Sequence, residues 1–524
     1  MRVLLVEPLV RKFSDRAQSR AREIKDNLRK RPDDESLWNP PLGLMKLATF
    51  HKRRGDEVKF VIGKDAKSFE VQDLFSPGVL WDRIYISTLF TFYWKETIET
   101  INFYRDAVGG SIHKIFVGGI MASLMRKEIF EDTGVHPVVG ILDSPTKIGL
   151  DGGENIDALA PDYDILDPDL YAINDTYYAY TTRGCVRHCE WCGVPKLEPD
   201  YTSYIDIKET IKGLRKKYGD KPRLKLMDNN VLASSHLEKI VTDLVSLGYG
   251  RDQFTETTPK RQRVVDFNQG LDARHLNEQT MSLLKELNIR PMRIAFDKVR
   301  NKRAYLRAVE LAQKYGVKEF SNYMLYNFKD TPKDLYERLS VNIKLNEKWG
   351  RGTSDAKAQI YSYPMRYAPI MSRYEDESSQ KRDYVAPQKP EQTSVGWTKR
   401  FTRNIEIMKG AAFGAISPTP QLAWRTIGRD YDEFIANLHM PEELLRNRNK
   451  HEKEVYEDEP RRPAGTGLVE EFRSFFWRLF NSNPEEAKRF HIAVGENSSA
   501  AIRAYLAECK DEEVKRWMVY YLKS

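Results

Sequence analysis

The chain is predicted to be an α/β protein in three parts: an N-terminal doubly wound parallel sheet over residues 1–150, six strand-and-helix repeats over 151–372, and a mostly helical C-terminal region over 373–524. Two observations predict this. Short apolar runs alternate with helical stretches, as βαβ units with parallel strands require. After Arg366 the alternation stops and helical periodicity takes over. At 524 residues, 41% hydrophobic and 31% charged, the chain can hold two to four domains with ample core.

Each element follows in order. Arg2–Glu7 reads as the first strand. Asn39-Pro40-Pro41-Leu42-Gly43-Leu44 opens a helix that runs to about Arg54 and ends at Gly55. Val58–Ile62 and Arg83–Thr88 are the next strands, with a helix from Lys95 to Ala107. Lys114–Val117 is a fourth strand closed by Gly118-Gly119, then a helix to Glu131, then a fifth strand at Val138–Leu142. The second series has strands at Tyr177–Thr182, Leu224–Met227, Val264–Phe267, Met292–Asp297, Ser321–Asn327 and Gln359–Arg366. Helices are predicted between them at 204–218, 236–247, 277–287, 301–315 and 332–347. Residues 374–395 are charged and turn-rich, an exposed linker. A helical region begins at Trp397, includes Ala411-Ala412-Phe413-Gly414, and would cap the substrate side. Residues 442–464 are expected to be solvent-exposed, and Phe472, Phe475, Phe476, Leu479 and Phe480 mark one face of a helix.

The chemistry sits in Arg183-Gly184-Cys185-Val186-Arg187-His188-Cys189-Glu190-Trp191-Cys192-Gly193. Three of the chain's four cysteines, Cys185, Cys189 and Cys192, fall here with C-x3-C-x2-C spacing. Three thiolates on one short loop can hold three corners of a 4Fe–4S cluster and leave the fourth iron open to a small chelating ligand. The competing reading is a structural zinc site on the same cysteines with His188 or a remote ligand. Such sites usually come as two separated ligand pairs, and the sequence has no second pair. Cys509 reads as a lone core or surface thiol. Four cysteines make no disulfide framework, which points to a reducing cytoplasm. The opening MRVLLVEPLV reads as a buried strand rather than a signal peptide, and no apolar run is long enough to span a bilayer.

The cysteine motif resembles that of the radical S-adenosylmethionine (SAM) superfamily. The resemblance implies a partial (β/α)6 barrel whose first strand leads into the cysteine loop. It implies SAM chelating the open iron, and one electron, from a donor such as a flavodoxin or ferredoxin, cleaving the sulfur–C5′ bond. The resulting adenosyl radical abstracts hydrogen from the substrate. Trp191 would lie near the adenine. Asp228, in an Asp228-Asn229-Asn230 segment similar to a D-D-N variant, would face the SAM ammonium. Asn268, Gln269 and Asp272 are candidates for the ribose hydroxyls, and Arg274 or Arg293 for the carboxylate, which a guanidinium fork matches. Asp297 stands where an acidic residue is common. Each also reads as an ordinary loop polar group or helix cap.

The N-terminal sheet, the Pro40-Pro41-Leu42-Gly43 segment, Gly152-Gly153-Glu154 and Pro161-Asp162-Tyr163-Asp164 resemble the cobalamin-binding subgroup over residues 1–370. One departure is that no D-x-H-x-x-G motif supplies a histidine to cobalt; His51, His113 and His136 lack that context. Cobalamin therefore stays open. If it binds, methyl transfer to carbon or phosphorus is implied. Otherwise rearrangement, oxidation or sulfur insertion remain, the last disfavoured because no second cysteine cluster exists.

Net charge is +8, which permits a polyanionic partner without requiring one. Residues 11–31 carry Arg11, Lys12, Arg16, Arg20, Arg22, Lys25, Arg29, Lys30 and Arg31 against Asp15, Glu23 and Asp26. This reads equally as a solvated helix face or as an arm contacting the phosphates of RNA or DNA. Two alternatives follow: a nucleic-acid-modifying radical SAM enzyme without cobalamin, and a non-catalytic zinc- or cluster-stabilised nucleic-acid-binding protein.

Overall fold

Parallel β-structure organises both halves of the molecule. The computed structural model describes residues 1–10, 38–69, 81–370, 384–387, 396–410, 412, 414–452 and 465–522. The basic segment 11–31, nearly all of the 374–395 stretch, Ala411, Phe413 and residues 453–464 lie outside these. The chain divides into two compact units. The first comprises Met1–Leu271, Glu278–Arg290 and Pro369–Gln380; the second comprises Asp272–Asn277, Pro291–Ala368 and Lys381–Ser524. The division runs through the series of repeats, not between them and the N-terminal sheet.

In the first unit, β1 (Arg2–Glu7), β2 (Glu57–Ile62), β3 (Arg83–Thr88) and β4 (Ile115–Gly119) form a parallel sheet in the order β2-β1-β3-β4. Successive residues of a strand face opposite ways. Val3, Leu5 and Tyr85 accordingly pack with Leu44, Leu47, Ala48 and Phe50 of α1 (Leu42–Arg53). Leu4, Val6, Ile84, Ile86, Ile115 and Val117 pack on the other face. There they meet residues of α2 (Trp94–Ala107), α3 (Ile120–Leu124) and α4 (Arg126–Thr133), among them Ile101, Tyr104, Met121 and Ile129. Burial on both faces is why β1 reads as a continuous apolar run.

The fifth strand expected at Val138–Leu142 is not formed. Val138 N–H bonds Val117 O at 2.8 Å, but Gly140 N–H is taken by Ser123 Oγ at 2.9 Å and Lys147 Nζ occupies Ile141 O at 2.8 Å. Side chains thus claim the groups a ladder would need.

The same unit holds β5 (Thr176–Ala179), β6 (Arg223–Leu226) and β7 (Val264–Phe267), parallel in that order. A short α5 (Val194–Leu197) follows the cysteine loop, and α6 (Lys208–Tyr218), α7 (Leu237–Leu244) and α8 (Glu278–Leu284) complete the set. The helix expected from Tyr204 begins only at Lys208. Thr202 pairs with Arg183, and Ile205 N–H bonds Thr181 O at 2.8 Å, so this stretch is held extended.

In the second unit, β8 (Met292–Arg293), β9 (Glu319–Tyr326) and β10 (Gln359–Arg366) form a parallel sheet in the order β10-β9-β8. β8 is shorter than expected, yet Ile294 N–H and Phe296 N–H still bond Ser321 O and Tyr323 O at 3.0 and 3.1 Å. Helices α9 (Lys302–Lys314) and α10 (Pro332–Lys348) alternate with these strands. A reciprocal Thr331/Asp334 capping box with proline in the first turn starts α10. The C-terminal part is helical, and Phe472, Phe475, Phe476 and Leu479 form the buried face of Leu468–Ser482, as their spacing predicts. Over its described part, the expected exposure of 442–464 holds at Arg446, Asn447, Asn449 and Lys450 and fails at Leu444, Leu445, Arg448, His451 and Glu452. Leu444 and Leu445 are buried, Glu452 pairs with Arg425 at 2.5 Å, and Arg448 donates to the carbonyls of Arg425 and Thr426. Here polar composition concealed buried ion pairs.

Candidate metal centre

The cysteine loop begins where β5 ends. Tyr180-Thr181-Thr182-Arg183 leads into Gly184, and the loop returns through α5 to Glu198. Its stem is closed by the backbone pair between Arg183 and Thr202, 3.0 Å in both directions. Arg183, buried, donates to Glu198 Oε1 at 2.9 Å and to both oxygens of Asp157 at 2.5 and 3.0 Å. Its guanidinium stacks 3.4 Å over the Tyr180 ring. Lys46 of α1 reaches the same Asp157 at 2.8 Å. Burial pushes the Asp157 carboxyl up, but Lys46 and Arg183 together hold it below its usual range. Gly184 N–H donates to Glu198 Oε2 at 2.7 Å, and Asn229 reaches that oxygen at 3.1 Å. Gly184 has φ +70°, and a Cβ there would lie 2.3 Å from Asp200 O, so only glycine fits.

Within the loop all three cysteines are half-buried and outside disulfides. Cys192 N–H closes a turn on Cys189 O at 3.0 Å. Arg187 N–H points at Cys185 Sγ (3.4 Å) and Val194 N–H at Cys192 Sγ (3.5 Å). Trp191 is half-buried, and His188 is exposed. Among the described residues, no group of three or more His, Cys, Asp or Glu side chains stands gathered around a metal position.

The neighbouring strand ends meet this loop. Registers of Ala179 with Leu226 and of Leu226 with Phe267 align the carboxyl ends of β5, β6 and β7. Asp228, 1% exposed, accepts on Oδ1 from Thr181 N (2.9 Å), Thr181 Oγ1 (2.8 Å), Thr182 Oγ1 (2.7 Å) and Thr182 N. Its Oδ2 is buried with no hydrogen-bond partner among the described residues. Burial pushes its pKa up to about 6, against the lowering effect of the threonine bonds. Asn230 Nδ2 lies 3.6 Å from Cys185 Sγ. Asn268 continues the ladder, its N–H on Leu226 O at 2.9 Å; it is half-buried and Gln269 is exposed.

The remaining predicted site residues belong to the second unit. Asp272 and Arg274 pair with each other through two bonds of 2.7 and 2.8 Å, so the fork expected to take a carboxylate is engaged locally. Arg293 lies 3.4 Å from Ser321 Oγ and 3.3 Å from Tyr323 Oη. Asp297 Oδ1 accepts from Leu325 N–H at 2.9 Å, and burial pushes its carboxyl up despite nearby Arg338. Arg338, fully buried, donates to the carbonyls of Phe296, Asp297 and Leu325 and pairs with Asp330 at 2.6 Å. It stitches the ends of β8 and β9 to α10.

The chain matches no protein-family model and no curated protein.

The donor set fits an iron–sulfur cluster in its chemistry: three thiols on one anchored loop, N–H groups aimed at two of the sulfurs, and an unpartnered carboxylate oxygen nearby. A histidine ligand to cobalt finds no such support. His51 is fully buried between Asp56 (2.7 Å) and Tyr85 Oη (3.0 Å), His136 stacks on Phe130 at 4.0 Å, and His113 is an exposed turn residue. Sequence reasoning gave no role to Thr181, Thr182, Arg183 and Glu198. Only the hydroxyl pair directly before the cysteine loop offered a local signal.

Proposed function

We propose that the chain is a radical SAM enzyme, built on a doubly wound N-terminal sheet and a partial (β/α)6 barrel, that functionalises an unactivated carbon. The observation that carries this reading is the C-x3-C-x2-C loop leaving the carboxyl end of β5, the first strand of a parallel sheet, with Asp228 and Asn230 of the adjacent strand end beside it. Reactive loops at the carboxyl ends of parallel strands are the rule in barrels of this kind. Cys185, Cys189 and Cys192 would hold a 4Fe–4S cluster, which supplies, when bound, an open iron for SAM and the electron that breaks its sulfur–C5′ bond.

The chain's own residues then have definite tasks. The Arg183–Glu198–Asp157 stem fixes both ends of the loop. The Arg187, Val194 and Asn230 donors face the sulfurs of Cys185 and Cys192. Asp228, with its pKa near 6, is a carboxylate at neutral pH. Its Oδ2 suits an ammonium group, because a buried anion is stabilised by a cation more strongly than in water. The reaction needs a one-electron donor such as a flavodoxin or ferredoxin. No step is assigned to cobalamin.

The test is anaerobic. Protein purified without oxygen from cells supplied with cobalamin, then reduced in the presence of SAM, is expected to release 5′-deoxyadenosine. Stoichiometric zinc with no nucleoside released would overturn the reading. The visible spectrum of the same sample reports corrinoid.

A further inference from the structure

Asn230 comes from a different strand end than the cysteines, yet its side chain reaches one of them. It is 4% exposed, and its amide nitrogen lies 3.6 Å from Cys185 Sγ. Its backbone carbonyl accepts from Tyr201 Oη at 3.0 Å, which fixes where the side chain starts. Its Oδ1 is buried with no hydrogen-bond partner among the described residues. The reverse amide orientation would set an acceptor oxygen against the sulfur, so the N–H is the group that faces it. The Arg187 N–H···Sγ contact follows from the loop's own turn. The Asn230 contact follows from side-chain identity alone.

We infer that Asn230 sets the reduction potential of the cluster held by Cys185, an inference that rests on the function proposed above. A hydrogen bond to a ligating thiolate draws electron density from the sulfur. It favours the reduced, more negative form and so raises the potential. Without that donor the cluster is harder to reduce. Asn230 touches a ligand, not the substrate, and is therefore a positioning residue whose effect reads out as potential.

The variants are Asn230→Leu, of similar size without a donor, and Asn230→Val, which decides the matter if the first does not fold. The measurement is a redox titration of reconstituted protein followed by electron paramagnetic resonance, with iron content determined alongside. At the poise where wild type is half reduced, the reduced-to-oxidised ratio is expected to fall about tenfold, equal to about 59 mV for one electron. Iron content stays at the wild-type level. Variants that hold full iron and titrate at the wild-type potential overturn the inference and leave the proposed function standing. A wild-type chain that takes up no iron overturns both.

Discussion

The two oxygens of Asp228 have different surroundings. Asp228 was expected to face a ligand ammonium; one oxygen instead clamps Thr181 and Thr182, and only the other is left without a partner. That division was illegible because the threonines lie 46 and 47 residues earlier. Burial raises the carboxyl from the usual 3.8 to about 6. The folded chain therefore holds a proton between these values that the unfolded chain has released. Stability from this group falls as pH rises through that window, and the full penalty, about 3 kcal/mol, is present above it. Asp228→Asn keeps an acceptor for the threonines and cannot ionise. Relative to wild type, it is expected to gain up to about 3 kcal/mol between pH 4 and pH 7 in urea denaturation. A difference that does not change with pH would mean the threonine bonds hold the charge without penalty.

At the scale of elements, the cysteine loop is a closed structure with a buried ionic stem. Removing one partner of a buried ion pair leaves a charge uncompensated and costs about 3–5 kcal/mol. Glu198→Ala, which leaves Arg183 paired with Asp157 alone and takes the acceptor from buried Gly184 N–H, is expected to lose about 1–3 kcal/mol. It should also admit protease cleavage within residues 185–197; an uncleaved loop of wild-type stability would contradict the stem. Gly184→Ala forces Cβ onto Asp200 O, so the loop must shift; iron uptake is expected to drop sharply while the remainder of the first unit stays folded by circular dichroism. The cysteine cluster was legible because its spacing is local in sequence. The stem was not, since Lys46, Asp157, Arg183 and Glu198 share no periodicity. Strand positions were legible where both faces are buried, as in β1 and β7, and also in β10, which buries one face. Val138–Leu142 was misread because hydropathy does not reveal that Ser123 and Lys147 claim its backbone.

At the scale of the whole molecule, the α/β character with parallel sheets was legible, and the helical C-terminal region kept its predicted aromatic face. Over residues 442–452 polar composition misled, because Glu452 pairs with Arg425 and Arg448 donates to backbone carbonyls in the interior. Among the described residues no helix is long and apolar enough to cross a membrane. The second unit also buries His439 against Phe401, Phe476, Phe480 and Phe490, with Nε2 2.9 Å from His491 Nδ1 and Nδ1 2.9 Å from Ile435 O. Burial holds its pKa well below 6.5. Below pH 6.5 the unfolded chain takes a proton that the folded chain refuses, so this unit is expected to lose stability as pH falls from 7 to 5. His439→Phe should flatten that loss in thermal melts; an equally steep loss would assign it to other groups. On the proposed function, Cys185, Cys189 and Cys192 together hold one iron–sulfur cluster. Metal analysis of anaerobically reconstituted protein tests it most directly. About four irons per chain are expected in wild type and in Cys509→Ser, and none in the triple Cys185→Ser, Cys189→Ser, Cys192→Ser variant. One zinc per wild-type chain, or iron retained by the triple variant, would contradict the account.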